Sequence, residues 1–143
     1  MDYIYLILPF IAWLFTGITK FFVNSIREKR LAVDLIGYGG MPSNHSSIVS
    51  STAAMIAFKE GVHHPAFGVA ITLCFIVMMD ANGLRRKIGL HAIEINKLNE
   101  ANATAQTMRE RVGHTKSEIC AGILCGVIIA WLTYSLFFSL ESF

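Results

Sequence analysis

Charge is what this chain has least of. Asp, Glu, Lys and Arg make up 15% of its 143 residues, where soluble globular domains carry about 25%. Four stretches hold no ionised side chain at all: Tyr3 to Thr19, Ser46 to Phe58, Pro65 to Met79 and Ile119 to Leu140. Cysteine is also sparse. Cys74, Cys120 and Cys125 fall inside these apolar stretches without a CxxC spacing, which argues against a disulfide framework or a thiolate metal site and predicts small buried apolar residues. No internal repeat or low-complexity segment is present. These shortages exclude a disordered chain, a secreted disulfide scaffold and an ordinary water-soluble enzyme. With 54% apolar residues and a mean hydropathy of +0.53, the chain reads as a single all-α membrane domain, a helical bundle of about four spans.

The spans are expected at 3–19, 42–58, 65–80 and 119–140. The first and last reach the length needed to cross hydrocarbon at 1.5 Å per residue. The second is short and polar, with Ser46, Ser47, Ser50, Ser51 and Thr52, so it should face protein, where hydroxyls bond to backbone carbonyls or neighbours. The third opens on Pro65, suited to a first helical turn. The first reads as a retained span rather than a signal peptide, because no basic region precedes it and no small-x-small site follows.

Four spans divide the twelve basic residues unevenly. Lys20, Arg27, Lys29, Arg30, Arg85, Arg86, Lys87, Lys97, Arg109, Arg111 and Lys116 share one side, and Lys59 alone takes the other. This bias places the richer side in the cytoplasm and both termini outside. On the cytoplasmic side, Gly37, Gly39 and Gly40 make a flexible approach to the second span. Leu90, Ile93, Leu98, Ala101 and Ala105 recur at roughly helical spacing, predicting one amphipathic helix within 88–112 near the headgroups.

All the candidate chemistry lies on that side. Lys20 and Arg27 leave the first span seven residues apart. Pro42-Ser43-Asn44-His45 opens the second, where free N–H groups and the positive helix end favour an anion. Asp80 to Arg86 closes the third. His114 and Glu118, on adjacent turns, open the fourth. Each group has a plainer reading: span-end bases snorkel to headgroups, Ser43 serves as a helix cap, and a boundary histidine is structural. Two histidines, an acid beside one of them and several cations on one membrane face favour a ligand instead, and lipid phosphate fits best.

These residues resemble the type 2 phosphatidic acid phosphatases, membrane relatives of the vanadium-dependent haloperoxidases. Lys20 and Arg27 are similar to that family's K-x6-R, Pro42-Ser43-Asn44-His45 to its P-S-G-H, and His114-Thr115-Lys116-Ser117-Glu118 to its H-x3-D. The Asp80-Ala81-Asn82-Gly83-Leu84-Arg85-Arg86 element points to a divergent bacterial and plastid branch. The resemblance implies a lipid phosphatase working through a phosphohistidine on His114. Glu118 would hold the other ring nitrogen and His45 would protonate the leaving alkoxide. Lys20, Arg27, Ser43, Asn44, Arg85, Arg86 and Arg109 would bind phosphate, with Asp80 a further site candidate, and neither a metal nor another cofactor is demanded.

The chain departs from the family pattern in several places. Asn44 replaces glycine, Glu28 proline and Glu118 aspartate, and Met108 stands where an arginine is expected, with Arg109, Arg111, Arg85 or Arg86 able to supply its charge. It also has four expected spans where the family usually has six. The expected partners are a phospholipid or polyprenyl phosphate substrate and membrane lipids, with no nucleic acid and with room for a homo-oligomer. Two other readings compete: a non-catalytic binder or transporter of lipid phosphates, and a structural subunit whose basic face meets anionic lipid.

Overall fold

The computed structural model describes residues 3–33, 40–100 and 105–141. Five helices follow in order: α1 (Ile4–Glu28), α2 (Asn44–Lys59), α3 (Pro65–Asn82), α4 (Leu84–Leu98) and α5 (Lys116–Glu141). No strand occurs among the described residues. Three segments are long and apolar enough to cross a membrane: α1, the α3–α4 stretch Pro65–Leu98, and α5. The protein is an integral membrane helical bundle.

Helix α2 sits at the centre and packs against α1, α3 and α5. At 16 residues it spans only about 24 Å. It is also unusually polar, and the packing explains how that is tolerated. Ser43, just before it, and Ser46, Ser47, Ser50 and Ser51 within it are all buried. The Ser47 hydroxyl bonds to the Thr16 hydroxyl of α1 (2.7 Å). Ser50 donates to the Ile123 carbonyl of α5 (3.3 Å), and Ser51 to the Ile48 carbonyl (2.9 Å).

Small residues set the distance between α2 and α5. A side chain at Gly122 would run into the Ser43 carbonyl, and one at Gly126 into the Ser47 carbonyl and the Ser50 hydroxyl. Gly122 and Gly126, four residues apart, thus bring the two backbones together in the manner of membrane helices joined without large side chains. Apolar contact fills the rest: Ile4, Leu8, Met55 and Ala130 form one buried cluster, and Ala53, Ala70 and Cys74 another. Of the three cysteines expected to be buried, Cys74 is; Cys120 is exposed and Cys125 is intermediate. Cys120 has turned to the outer face of α5, where lipid makes the same apolar demand as a core.

Contacts along the helices fix their directions. The Tyr5 hydroxyl donates to Glu60 (2.6 Å) at one end of the α1–α2 pair, so these helices are antiparallel. Ser43 N–H donates to the Glu118 carbonyl (3.0 Å) and Phe58 meets Tyr134, so α2 and α5 are parallel. The end of α1, the starts of α2 and α5 and the α3–α4 junction therefore gather at one pole.

The amphipathic helix expected within 88–112 takes a different form. It begins at Leu84 and stops at Leu98, and 105–112 return without helix. The cause is Asn96. Its side chain donates to the Met108 carbonyl (2.9 Å) and accepts from Met108 N–H (2.7 Å), holding the returning strand of chain by both of its backbone groups. The segment also lies so close to α4 that a side chain at Gly89 would strike the Glu110 and Val112 carbonyls. Ala101, and the Gly37–Gly39 part of the glycine-rich approach, lie outside the described residues.

Candidate active site

Helix α1 does not end with its apolar stretch. It runs two turns beyond Lys20 and carries Lys20 and Asn24, one turn apart, to the inner face, where both are buried. Helix α2 begins after Ser43, whose hydroxyl accepts from Ser46 N–H (3.4 Å) and from the Ser46 hydroxyl (3.1 Å). Ser43 is therefore an N-cap, and this cap presents Asn44 and His45 on the first turn.

Helix α5 opens on a reciprocal cap. Thr115 N–H donates to the Glu118 carboxylate (3.0 Å), and Glu118 N–H donates to the Thr115 hydroxyl (3.4 Å). This is the capping box that a T-x-x-E run forms. Just before it, Gly113 takes a φ of +87°, and a side chain there would meet Arg86 N at 2.8 Å and the Ala81 carbonyl at 3.0 Å. Glycine permits both the angle and the approach. His114 N–H then donates to the Ala81 carbonyl (2.9 Å), docking the start of α5 on the end of α3.

These local structures enclose a cavity of about 970 Å³. The His45 and His114 rings meet there edge to face, with centroids 5.8 Å apart. His114 is buried, and its Nδ1 lies 3.3 Å from Glu118 Oε2. Burial pushes the His114 imidazole below its ordinary value of 6.5, and the Lys20 ammonium adds to this, while the bond to Glu118 opposes it. The neutral form of this ring is thereby favoured. With Nδ1–H turned to the carboxylate, the Nε2 lone pair is left for a ligand.

Lys20, Arg85, Arg109 and Arg111 supply positive charge to the lining. Arg85 is aimed by Asp80, whose Oδ2 accepts from its Nε at 2.6 Å. The structure thus brings together Lys20, Asn44, His45, Arg85, Arg109 and His114, with Glu118 and Asp80 behind them. Arg27 lies about 10 Å further along α1 than Lys20; it and Arg86 are exposed and outside the lining. Met108 occupies the position where an arginine was expected, but 105–112 is not helical, so Arg109 and Arg111, two residues apart, both reach the cavity. Asn24 escaped the sequence reading, although its place one turn after Lys20 was a usable signal. Among the described residues no three His, Cys, Asp or Glu side chains gather to hold a metal ion.

Comparison with known proteins agrees with this architecture. The profile of the family described as "Divergent PAP2 family" matches residues 1–129. The chain is 30% identical over 135 residues to a Bacillus subtilis (strain 168) protein described as "Uncharacterized membrane protein YuiD", covering 82% of this chain and 85% of that one. No solved structure gives a significant match. The family pattern thus runs from α1 to about the middle of α5 and takes in both histidines and the cavity around them: the chain belongs to the Divergent PAP2 family.

Proposed function

We propose that the protein is a membrane lipid phosphatase that cleaves a phosphomonoester or pyrophosphate of a lipid through a phosphohistidine. The carrying observation is the pair of histidines facing each other in one cation-lined cavity, one of them held by a carboxylate. Binding an anion requires the cations alone. A buried, neutral imidazole with its second nitrogen paired to Glu118 is what a nucleophile requires.

In the first step His114 Nε2 attacks phosphorus, and the bond from phosphorus to the lipid oxygen breaks. His45, entering the step as its imidazolium beside the bound phosphate dianion, gives its proton to that oxygen, and Glu118 stabilises the positive charge growing on His114. Lys20 and the cavity arginines neutralise the equatorial oxygens, while Asn44 adds a neutral polar contact at the positive end of α2. In the second step water attacks phosphorus, His45 takes its proton, the P–N bond breaks and inorganic phosphate leaves. Positioning and charge stabilisation are enough for such a transfer. The eleven-to-one distribution of basic residues supports a site opening to the cytoplasm, with the termini outside.

The test is phosphate release by purified protein across a panel of phosphatidate, phosphatidylglycerophosphate and polyprenyl phosphates. His114→Ala should reduce turnover at least about a thousandfold, the scale on which one member of a nucleophile unit matters, and lipid binding should persist. Glu118→Gln should cost less, because glutamine still closes the capping box and can still accept from Nδ1–H. Wild-type turnover in His114→Ala would overturn the proposal. Binding without turnover in the unaltered protein would favour a lipid-phosphate binder.

A further inference from the structure

The cavity is far larger than a phosphoryl group requires. Such a group displaces roughly two or three waters, each occupying about 30 Å³, and the cavity measures about 970 Å³. Its chemistry is also divided. The histidines and cations hold one end, while Trp13, Leu14, Gly17 and Ile18 continue the lining along α1 into the membrane-spanning part of the helix. Trp13 lies seven residues from Lys20, about 10 Å along the axis.

Among the described residues, none closes this apolar wall. Trp13, Leu14 and Ile18 are each about half exposed, at 55%, 52% and 46%. Gly17 sits among them, and a side chain there would meet nothing nearer than Asn44 Nδ2 at 3.8 Å. Gly122 and Gly126 are different, because a neighbouring backbone fills the space beside them. At Gly17 the space belongs to the cavity.

We infer that the wall from Trp13 to Ile18 is the chain-binding half of the site. Its occupant is a hydrocarbon chain of the same molecule whose phosphate lies between the histidines. Two features favour this occupant over a second copy of the protein: the wall lines the same cavity as a cation cluster that demands an anion, and Gly17 leaves open space in that wall where a side chain would stand. The substrate class is then an amphiphile that keeps its chain against α1 during cleavage, not a soluble phosphate ester. The cleavage arm of the test rests on the phosphatase reading; the binding arm does not.

Butyl and dodecyl phosphate are compared in wild-type protein, Gly17→Phe and Leu14→Trp, with folding of each variant checked by thermal unfolding in detergent. Partition into detergent favours dodecyl phosphate in every variant alike, so the change in rate ratio isolates the wall. The dodecyl-to-butyl ratio should fall at least tenfold in both variants. An unchanged ratio overturns the inference and leaves the phosphatase reading standing. The binding arm uses a dodecyl phosphate carrying a terminal photoreactive diazirine. Cross-links should map to residues 13–18, be displaced by dodecyl phosphate and not by dodecanol, and weaken in Gly17→Phe. This result supports the inference even in a protein that releases no phosphate. Cross-links confined to other helices, or a protein-to-protein cross-link across α1, overturn it.

Discussion

Glu118 serves two neighbours at once. One of its oxygens accepts from Thr115 N–H and lies 3.3 Å from His114 Nδ1, so helix cap and imidazole share one carboxylate. The His114 ring answers to opposing charges, and their removal should move its titration in opposite directions. Its neutral form is the reactive one, so on the acid side the rate falls as pH drops through its lowered pKa, while the need for a protonated His45 sets a separate alkaline limb. The acid limb of kcat/KM should therefore lie below the ordinary 6.5. Lys20→Met removes a charge that lowers the His114 pKa and should move the limb upward; Glu118→Gln removes one that raises it and should move the limb downward. A pH–rate profile of each variant checks this, and shifts in the same direction would contradict it. The residues legible in the sequence share a reason. Lys20, His45, His114 and Glu118 lie on helices or beside their starts, where spacing in the chain translates into a face. Arg109 and Arg111 were named for their charge alone; they lie on irregular chain held by Asn96, and no period connects them to their place. Ser43 was open to two readings, and the structure places its hydroxyl in the cap.

At the scale of the helix, the serine-rich α2 and the glycine-bearing α5 are one device. Hydroxyls turned to backbone carbonyls let α2 be polar without facing lipid, and Gly122 and Gly126 let α5 come close enough to receive them. Gly126→Val should destabilise the bundle by about 1–3 kcal/mol, the cost of overpacking a tight contact, read by thermal or denaturant unfolding in detergent. Gly68→Ala offers the contrast. It lies in α3 with open space around it, and there the better helix propensity of alanine should stabilise by up to about 1 kcal/mol. Equal effects would mean that the α2–α5 contact is not what limits stability. The polarity of α2 was plain in the sequence, and with it the need to face protein rather than lipid. The end of α4 was not, because Leu98, Ala101 and Ala105 keep a helical rhythm that the side-chain clamp from Asn96 interrupts.

For the molecule as a whole, the polar pole is made of chain ends that the topology must keep on one side. In a cysteine-free background, Val62→Cys lies in the turn between α2 and α3 and Leu98→Cys at the end of α4; both positions are exposed. An impermeant thiol reagent applied to intact cells should label the first and not the second. The opposite pattern would turn the site outward. The direction of each helix followed from the order of apolar stretches, whereas the packing of three helices around α2 did not, since hydropathy records burial and not neighbours. That central helix is about 24 Å long, against a hydrocarbon layer of about 30 Å, and His45 stands at its first turn. The depth of His45 is thus fixed by α2 and its partners, while the phosphate plane of the surrounding lipid rises and falls with acyl chain length. Bilayer thickness, whose mismatch with protein carries a modest cost for each ångström, should then tune the site: turnover of one lipid substrate should be faster in vesicles of short-chain than of long-chain lipid, and equal rates would contradict it.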